Sequence, residues 1–213
     1  GAPGWSSCGA TGGSRRLRRA ASGISDMTTK RAPGKKGPVP VFEFTSSSVE
    51  ETRAFGERLG RLLRAGDVVA LYGELGSGKT TLVQGIARGL GRDPGGIKSP
   101  TFVLVREYPG DVPLVHVDGY RLEGPPAAAA LDVELLFAPH KVTLIEWAER
   151  FAPLLPDERL DIRLSHVSAN RRRLSLGAAG ERAAALIREL PPEAPSPAPE
   201  TPDTASTHGP AGD

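Results

Sequence analysis

The chain has 213 residues, enough for one hydrophobic core, and a net charge of +2 that is unevenly distributed. Residues 1–40 contain eight Lys or Arg and one Asp (+7), residues 41–190 are close to neutral (−1), and residues 191–213 contain four acids and no Lys or Arg (−4). No apolar run approaches the ~18 residues of a membrane-spanning helix. The single cysteine, Cys8, excludes a disulfide framework and a cysteine-ligated metal site, which favours a cytoplasmic protein.

The two terminal segments have compositions that do not favour a packed core. Residues 1–40 are rich in Gly, Ser, Arg and Pro, and residues 191–213 are mainly Pro, Ala, Glu, Thr, Ser, Gly and Asp. Neither segment has helical or strand periodicity, so we expect both to be disordered. The basic arm is either a solvated tail or a loose contact for nucleic acid. Met27 is the only methionine, and we expect native translation to start there. The folded domain is predicted to span residues 41–190.

Strand and helix patterns alternate along this domain. The predicted elements, in chain order, are a strand at 41–44, a helix capped within 45–48 and ended by Gly66 and Asp67, a strand at 68–72, a helix at 80–90, strands at 102–108 and 114–118, a helix at 127–137, a strand at 142–147, a hairpin of 160–166 with 173–176, and a helix at 181–190. This alternation predicts an α/β fold, with a mostly parallel sheet flanked by helices and with antiparallel additions.

A glycine-rich turn lies between the strand at 68–72 and the helix that follows it. Residues 73–80 read Gly-Glu-Leu-Gly-Ser-Gly-Lys-Thr, a phosphate-binding loop in the setting that the motif requires. Backbone amides of such a loop surround a phosphate, the lysine adds a positive charge, and the threonine hydroxyl is a hard oxygen for Mg²⁺. The alternative is a glycine turn with an incidental lysine. The predicted nucleotide-binding residues of this loop are Gly73, Glu74, Leu75, Gly76, Ser77, Gly78, Lys79, Thr80 and Thr81.

Three polar residues lie at the ends of apolar runs, where groups that complete a nucleotide site belong. Glu146 follows residues 142–145 and can hold Mg²⁺ directly or through water, or cap a helix. Asp118 ends residues 115–117 and can activate water or join the metal shell, or bond the backbone of a turn. Thr101 can place its hydroxyl near the terminal phosphate, or be a polar residue that opens a strand.

Two ring-bearing residues lie beside these acids. Trp147 follows Glu146 and is either an exposed aromatic suited to stacking or to a partner, or a core residue. His116 lies two residues before Asp118, and alternation along its strand predicts a packed, neutral histidine.

Four sequence blocks together resemble one protein family. They are Gly-Glu-Leu-Gly-Ser-Gly-Lys-Thr-Thr at 73–81, Lys-Ser-Pro-Thr-Phe at 98–102, His-Val-Asp-Gly-Tyr-Arg-Leu at 116–122 and Ile-Glu-Trp-Ala-Glu-Arg at 145–150. In this order and spacing the chain, over about residues 41–190, resembles the TsaE (YjeE) family of bacterial ATPases. The resemblance implies a P-loop NTPase-like fold and ATP hydrolysis with Mg²⁺ in the formation of threonylcarbamoyladenosine beside the tRNA anticodon. It also implies TsaD and TsaB as protein partners, with tRNA reached indirectly and no membrane.

The resemblance also assigns residue roles. It implies that Lys79 and the loop amides hold phosphates, and that Asp118 supports hydrolysis. Thr80 and Glu146 are implied as the Mg²⁺ ligands, with Trp147 beside the metal acid. Two positions depart from the family pattern: Asn170 replaces the glycine of a Gly-Arg turn in which Arg171 would contact nucleotide, and Gly119 stands where the family usually has a bulky apolar residue.

Other classes of P-loop protein fit the sequence less well. A small-molecule kinase needs an acceptor pocket and usually an arginine-bearing lid. The arginine cluster at 171–173 lies in a predicted hairpin turn, which is poorly suited to form such a lid. A GTP switch selects guanine with Asn-Lys-x-Asp, but the single asparagine, Asn170, is followed by Arg171. A scaffold with an inactive loop conflicts with the intact phosphate and metal residues. The kinase is therefore the alternative that we retain.

Overall fold

The computed structural model describes residues 40–123, 127 and 131–190. The segments predicted to be disordered lie outside the described residues, apart from Pro40. Seven strands form one sheet in the order β1-β7-β6-β2-β5-β4-β3. They are β1 Pro40–Ser46, β2 Val68–Tyr72, β3 Val105–Tyr108, β4 Leu114–Asp118, β5 Val142–Glu146, β6 Arg159–His166 and β7 Arg172–Ala179.

The centre of the sheet is parallel and its margins are antiparallel. Strands β6, β2, β5 and β4 pair in parallel, whereas β3 pairs antiparallel with β4, β7 with β6 and β1 with β7. The predicted mostly parallel α/β sheet with antiparallel additions is confirmed. The carboxyl ends of the parallel strands meet at one edge, which is where such sheets bind ligands.

Four α-helices have both ends within the described residues: α1 Val49–Leu62, α2 Lys79–Gly89, α3 Val133–Leu136 and α4 Glu181–Glu189. Side chains cap the start of helix α1: the hydroxyl of the N-cap residue Ser48 accepts from Glu51 N at 3.1 Å, and the Glu51 carboxylate accepts from N of the preceding residue, Ser47, at 2.6 Å. Short 3₁₀ turns occupy Pro94–Gly96 and Ala148–Phe151. None of the helices in the described ranges is both long and apolar enough to cross a membrane.

Side chains of the central strands alternate between two cores, one on each face of the sheet. On one face Val69, Leu71 and Leu144 pack with α1, α2 and α4. On the other face Ala70 and Ile145 join a smaller cluster that includes the second 3₁₀ turn. Because both faces are covered, β2 is apolar throughout and most residues of β4 and β5 are apolar, as in buried parallel strands.

Helices α1 and α2 approach each other through glycines. A Cβ added at Gly56 on α1 would lie 2.6 Å from the Leu82 carbonyl oxygen and 3.0 Å from Gly85 Cα on α2. Gly60 on α1 and Gly89 on α2 likewise face backbone of the opposite helix. These glycines, which are unfavourable within an isolated helix, therefore hold the helix that follows the phosphate loop close to its neighbour.

The predicted strand at 102–108 begins later than expected. Strand β3 starts at Val105, because the amides of Val103 and Leu104 donate to Pro100 O at 3.0 and 2.6 Å and close a turn. Leu104 has a φ of 68°, in the left-handed region that extended strands do not use. The prediction that Thr101 opens a strand is therefore wrong, since Thr101 lies in this turn.

Two other boundaries differ from the prediction. Of the helix predicted at 127–137, residue 127 is helical, residues 128–130 lie outside the described part of the chain, and α3 starts at Val133. Asp132 has extended backbone and its carboxylate accepts from Leu135 N at 3.0 Å, so it caps a new helix. Strand β5 ends at Glu146, since Trp147 has a φ of 57°.

Candidate nucleotide-binding site

The loop between β2 and α2 has the backbone that a phosphate cradle requires. Gly76 and Gly78 have φ values of 77° and 102°, which a residue with a Cβ adopts only with strain. Helix α2 begins directly after Gly78, and its first amides point towards the loop mouth. An anion at this position would meet backbone N–H groups and the positive end of a helix dipole.

Lys79 is almost fully buried beside this loop, at 4% exposure. Its ammonium donates to Gly73 O at 2.6 Å and to Glu74 O at 2.9 Å, and it lies 4.1 Å from the centre of the Trp147 ring. Burial lowers the pKa of Lys79 below its ordinary value, although nearby carboxylates, chiefly that of Glu146, oppose this shift. The lysine is thus a desolvated cation within reach of the loop mouth.

Thr80 and Glu146 meet across the sheet edge. The Thr80 hydroxyl lies 2.9 Å from Glu146 Oε1 and 3.1 Å from Oε2, and Glu146 is only 3% exposed. Glu146 Oε1 is also 3.0 Å from His116 Nε2. Strand β5 lies next to β2, which brings the end of one strand beside the helix that follows the other. A hydroxyl and a carboxylate in contact are hard oxygen donors suited to Mg²⁺.

Asp118 forms the second acidic group of the edge. It pairs in register with Glu146, and its carboxylate Oδ2 accepts from the Thr101 hydroxyl at 2.6 Å and from the Ser99 hydroxyl. Its other oxygen accepts from Tyr120 N at 2.9 Å. The turn that was predicted as the start of a strand therefore places Thr101 beside Asp118.

These groups line a cleft of about 460 Å³. The cleft-lining residues are Leu75, Gly76, Gly78, Lys79, Thr80, Thr81, Ser99, Thr101, Asp118, Tyr120, Glu146 and Trp147. Of the other predicted loop residues, Gly73 and Glu74 contribute the carbonyls that hold Lys79, and Ser77 is fully buried. The structure therefore brings the predicted phosphate, metal and catalytic residues to one cavity.

A second cleft, of about 430 Å³, lies on the other side of the phosphate loop. It shares Gly76, Gly78 and Thr81 with the first cleft and is otherwise lined by Ser47, Ser48, Val49, Glu50, Thr52, Ala169, Asn170 and Arg172. The start of α1 and the turn between β6 and β7 form its walls. Arg171, predicted to contact nucleotide, is an exposed residue of this turn and lines neither cleft, whereas both of its neighbours line the second cleft.

Trp147 and Gly119 have neighbouring positions behind the acids. Trp147 is half-buried, has left-handed backbone and lies 5.2 Å, ring centre to ring centre, from Tyr120, so it belongs to the cleft wall and not to the core. Gly119 N donates to Glu146 O at 3.0 Å, and a Cβ at Gly119 would lie 2.6 Å from the Phe151 ring. In this chain the Phe151 ring therefore occupies the space beside Gly119.

Sequence reasoning did not assign several contributors to the site. Ser99 lies in the quoted Lys-Ser-Pro-Thr-Phe block, and its hydroxyl two residues before Thr101 was a usable signal. Tyr120 lies in the quoted block at 116–122 and Asn170 in the turn that departs from the family pattern, but that they line clefts depends on how loops meet. His116 was predicted to be packed, and it is fully buried, but its contact with Glu146 depends on strand order.

The cleft contains two hard oxygen donors that could hold Mg²⁺. No group of three or more His, Cys, Asp or Glu side chains positioned for a metal occurs in the described residues. Mg²⁺ is commonly held by one or two protein oxygens together with phosphates and water. The Thr80 hydroxyl and the Glu146 carboxylate provide such a pair at the mouth of a loop built for phosphates.

Comparisons with known proteins identify the family to which the chain belongs. The family model described as threonylcarbamoyl adenosine biosynthesis protein TsaE matches residues 46–174. Two relatives named tRNA threonylcarbamoyladenosine biosynthesis protein TsaE come from Streptomyces coelicolor and Bacillus subtilis. The first is 47% identical over 116 residues, which cover 53% of this chain and 77% of the relative. The second is 39% identical over 142 residues, which cover 66% of this chain and 88% of the relative. The crystal structure of YdiB from Bacillus subtilis superposes with a TM-score of 0.60 at 34% identity, and the match covers 70% of this chain and 93% of YdiB.

Proposed function

The chain belongs to the TsaE family of threonylcarbamoyl adenosine biosynthesis proteins, and from this premise we propose that it is a Mg²⁺-dependent ATPase of tRNA threonylcarbamoyladenosine formation. The contact that carries the proposal is the one between the Thr80 hydroxyl and the Glu146 carboxylate beside the phosphate loop. Family membership confirms the resemblance on which the sequence interpretation rests. The names of the relatives do not favour the alternative, a small-molecule kinase.

The phosphates of ATP would bind at the loop and at Lys79. The lysine is held by the carbonyls of Gly73 and Glu74, partners that lack a negative charge, so a triphosphate would be a stronger acceptor for its ammonium. Backbone amides at the start of α2 add further donors. Burial strengthens these interactions, because the lysine has already lost most of its hydration in the folded protein.

The metal would bind between Thr80 and Glu146, and when bound it would neutralise charge on the phosphates. Glu146 is held at the end of a buried strand, which limits its motion and keeps its carboxylate at the cleft wall. Asp118 lies on the neighbouring strand in register with Glu146. It can therefore add a water-mediated ligand or hold the attacking water, as the family pattern implies.

Asp118 and Thr101 form the hydrolytic part of the proposal. Both line the cleft that contains Lys79 and Thr80. The Asp118 carboxylate, which two hydroxyls and one backbone amide hold in place, can orient a water molecule and accept its proton. Thr101 donates to this carboxylate and would change partner when a terminal phosphate enters or leaves the cleft.

The base and ribose of the nucleotide would occupy the second cleft. It adjoins the phosphate loop through Gly76, Gly78 and Thr81, so one ligand can extend from one cleft to the other around the loop. Its walls offer the hydroxyls of Ser47 and Ser48 and the amide of Asn170 as hydrogen-bonding groups. Arg171 lies between two residues of this wall, and its own side chain is exposed.

The cellular setting of the proposal follows from the family. We propose TsaD and TsaB as the protein partners, with tRNA reached through their complex, and a cytoplasmic location, where tRNA is modified. Under this proposal the isolated chain hydrolyses ATP slowly, and its partners raise the rate.

A hydrolysis assay tests the proposal. Purified full chain is incubated with ATP and Mg²⁺, alone and with TsaD, TsaB and tRNA, and release of inorganic phosphate is measured. Lys79→Ala should weaken nucleotide binding by roughly 10- to 100-fold, the equivalent of about 1.5–3 kcal/mol for hydrogen bonds to a charged group. Arg88→Ala is the matched control, since Arg88 is an exposed cation at the opposite end of the same helix and should leave binding unchanged.

The assay also separates enzyme, kinase and scaffold. Glu146→Ala should reduce Mg²⁺-dependent turnover more than metal-free nucleotide binding. Unchanged Mg²⁺ dependence in this variant would show that the metal assignment is wrong. A complete lack of hydrolysis by the wild-type chain with all partners present would exclude the ATPase, and transfer of phosphate to a small acceptor would favour the kinase.

A further inference from the structure

His116 is a buried polar residue inside an otherwise apolar strand. It has no exposed surface, and it lies on the same face of the sheet as Asp118, two residues further along β4. Its register partner on β5 is Leu144, and Glu146 follows two residues after Leu144 on the same face. The imidazole thus approaches the acidic edge of the sheet from the protein interior.

The contact between His116 and Glu146 defines the role of the imidazole. His116 Nε2 lies 3.0 Å from Glu146 Oε1. A carboxylate oxygen accepts hydrogen bonds, so the arrangement requires a proton on Nε2. His116 Nδ1 is buried and has no partner among the described residues. With the proton on Nε2, Nδ1 is an unpaired acceptor and no N–H group of the ring is left unsatisfied.

We propose that His116 is a positioning residue that holds the Glu146 carboxylate in the orientation needed to bind the metal of a metal–nucleotide complex. This inference rests on the proposed function. His116 does not line the cleft, whereas Glu146 and Thr80 do, so the imidazole acts through Glu146 and does not touch nucleotide. Hydrogen bonds of this kind to metal ligands fix their orientation and raise metal affinity.

The identity of the other donor to Glu146 explains why His116 is needed. The Thr80 hydroxyl contacts both carboxylate oxygens, at 2.9 and 3.1 Å, but Thr80 is itself a proposed metal ligand. Among the described residues, His116 is the side chain that hydrogen-bonds Glu146 without being a proposed metal ligand itself. It is therefore the contact that can keep the carboxylate oriented whether or not a metal is bound.

Two variants of nearly equal volume isolate the hydrogen bond. His116→Gln keeps an N–H donor near the position of Nε2, whereas His116→Met fills similar space without a donor. Mn²⁺ binding to the ADP complex of the full chain is measured by electron paramagnetic resonance, and ADP binding is measured in EDTA. We expect His116→Met to weaken Mn²⁺ binding by about 10-fold or more. Since Gln retains the donor, Mn²⁺ binding by His116→Gln should stay within about threefold of wild type. Metal-free ADP binding should be the same in all three proteins.

The outcomes are distinct. Equal loss of Mn²⁺ affinity in both variants would overturn the inference, because shape and not the donor would then matter, and wild-type affinity in both would overturn it as well. Circular dichroism and thermal unfolding establish that each variant is folded. If His116→Met does not fold, His116→Asn replaces it, since its shorter amide cannot reach Glu146. A wild-type chain that binds ADP without any effect of Mn²⁺ would refute the metal assignment of the proposed function, and the role of His116 with it.

Discussion

The contact between α1 and α2 leads to a strong prediction for Gly56. A methyl group added there by Gly56→Ala would lie 2.6 Å from Leu82 O and 3.0 Å from both Gly85 Cα and Ile86 N. All three of these atoms belong to helix backbone, which cannot move aside as a flexible side chain can. The two helices would have to separate locally, and the fully buried residues around the contact would lose packing.

Two opposing terms determine the size of this effect. The added carbon would be about 1 Å closer to Leu82 O than the ~3.5 Å of an ordinary contact. Overpacking of this kind costs about 3 kcal/mol, at the upper end of the usual range. Alanine is favoured over glycine by about 1 kcal/mol within a helix. The net expectation is a loss of about 2 kcal/mol in the free energy of unfolding, or about 4–8 °C in melting temperature for a domain of this size.

Urea unfolding monitored by circular dichroism measures this loss for Gly56→Ala. Gly96→Ala is the control, because Gly96 has no atom within 4 Å of an added Cβ and lacks the left-handed backbone of a strained position. The control should be neutral or stabilising by up to about 1 kcal/mol, since it restricts the unfolded chain. A Gly56→Ala protein as stable as wild type would refute the reasoning, because helix propensity would then outweigh the close approach.

Two further predictions concern partly buried ionisable groups and their partners. Burial and the neighbouring Asp161 raise the pKa of Tyr72 to about 12. As the pH rises, the unfolded chain therefore loses this proton before the folded protein does, and the free energy of unfolding of the wild type should fall between pH 10 and 12. Urea unfolding at several pH values should show a smaller fall for Tyr72→Phe. Equal falls in the two proteins would contradict this prediction. Arg182→Ala should cost about 2 kcal/mol of unfolding free energy, because Asp67 is 7% exposed and loses its ion pair. Arg188→Ala on the same helix should change stability by less than about 0.5 kcal/mol, since its ion pair is exposed; equal losses in the two variants would refute the distinction.

Local sequence features were enough to locate the candidate loop and the two acids. The phosphate loop could be identified because its function depends on consecutive residues, with glycines at positions of left-handed backbone and a helix directly after them. The acids Asp118 and Glu146 could be proposed because each ends an apolar strand, and parallel strands end at a common edge. In both cases the prediction depends only on residues that are adjacent in the sequence.

Element boundaries were less predictable where backbone turns compete with strands or helices. The run of apolar residues at 102–104 resembles a strand, but its amides are used in a turn closed by Pro100 O. That turn places the Thr101 hydroxyl on Asp118, so the error in the strand concealed a contact at the site. Asp132 similarly starts a new short helix where a longer one was predicted.

The amino-acid sequence alone determined the fold class, the phosphate loop and the acids at the strand ends, because these follow from periodicity and from neighbouring residues. Only the tertiary structure decided that Ser99 bonds Asp118, that His116 contacts Glu146, and that the starts of α1 and β7 enclose a second cleft. Such contacts depend on the order of strands in the sheet and on the approach of helices. Both are set by burial summed over the whole domain and cannot be read from a local pattern.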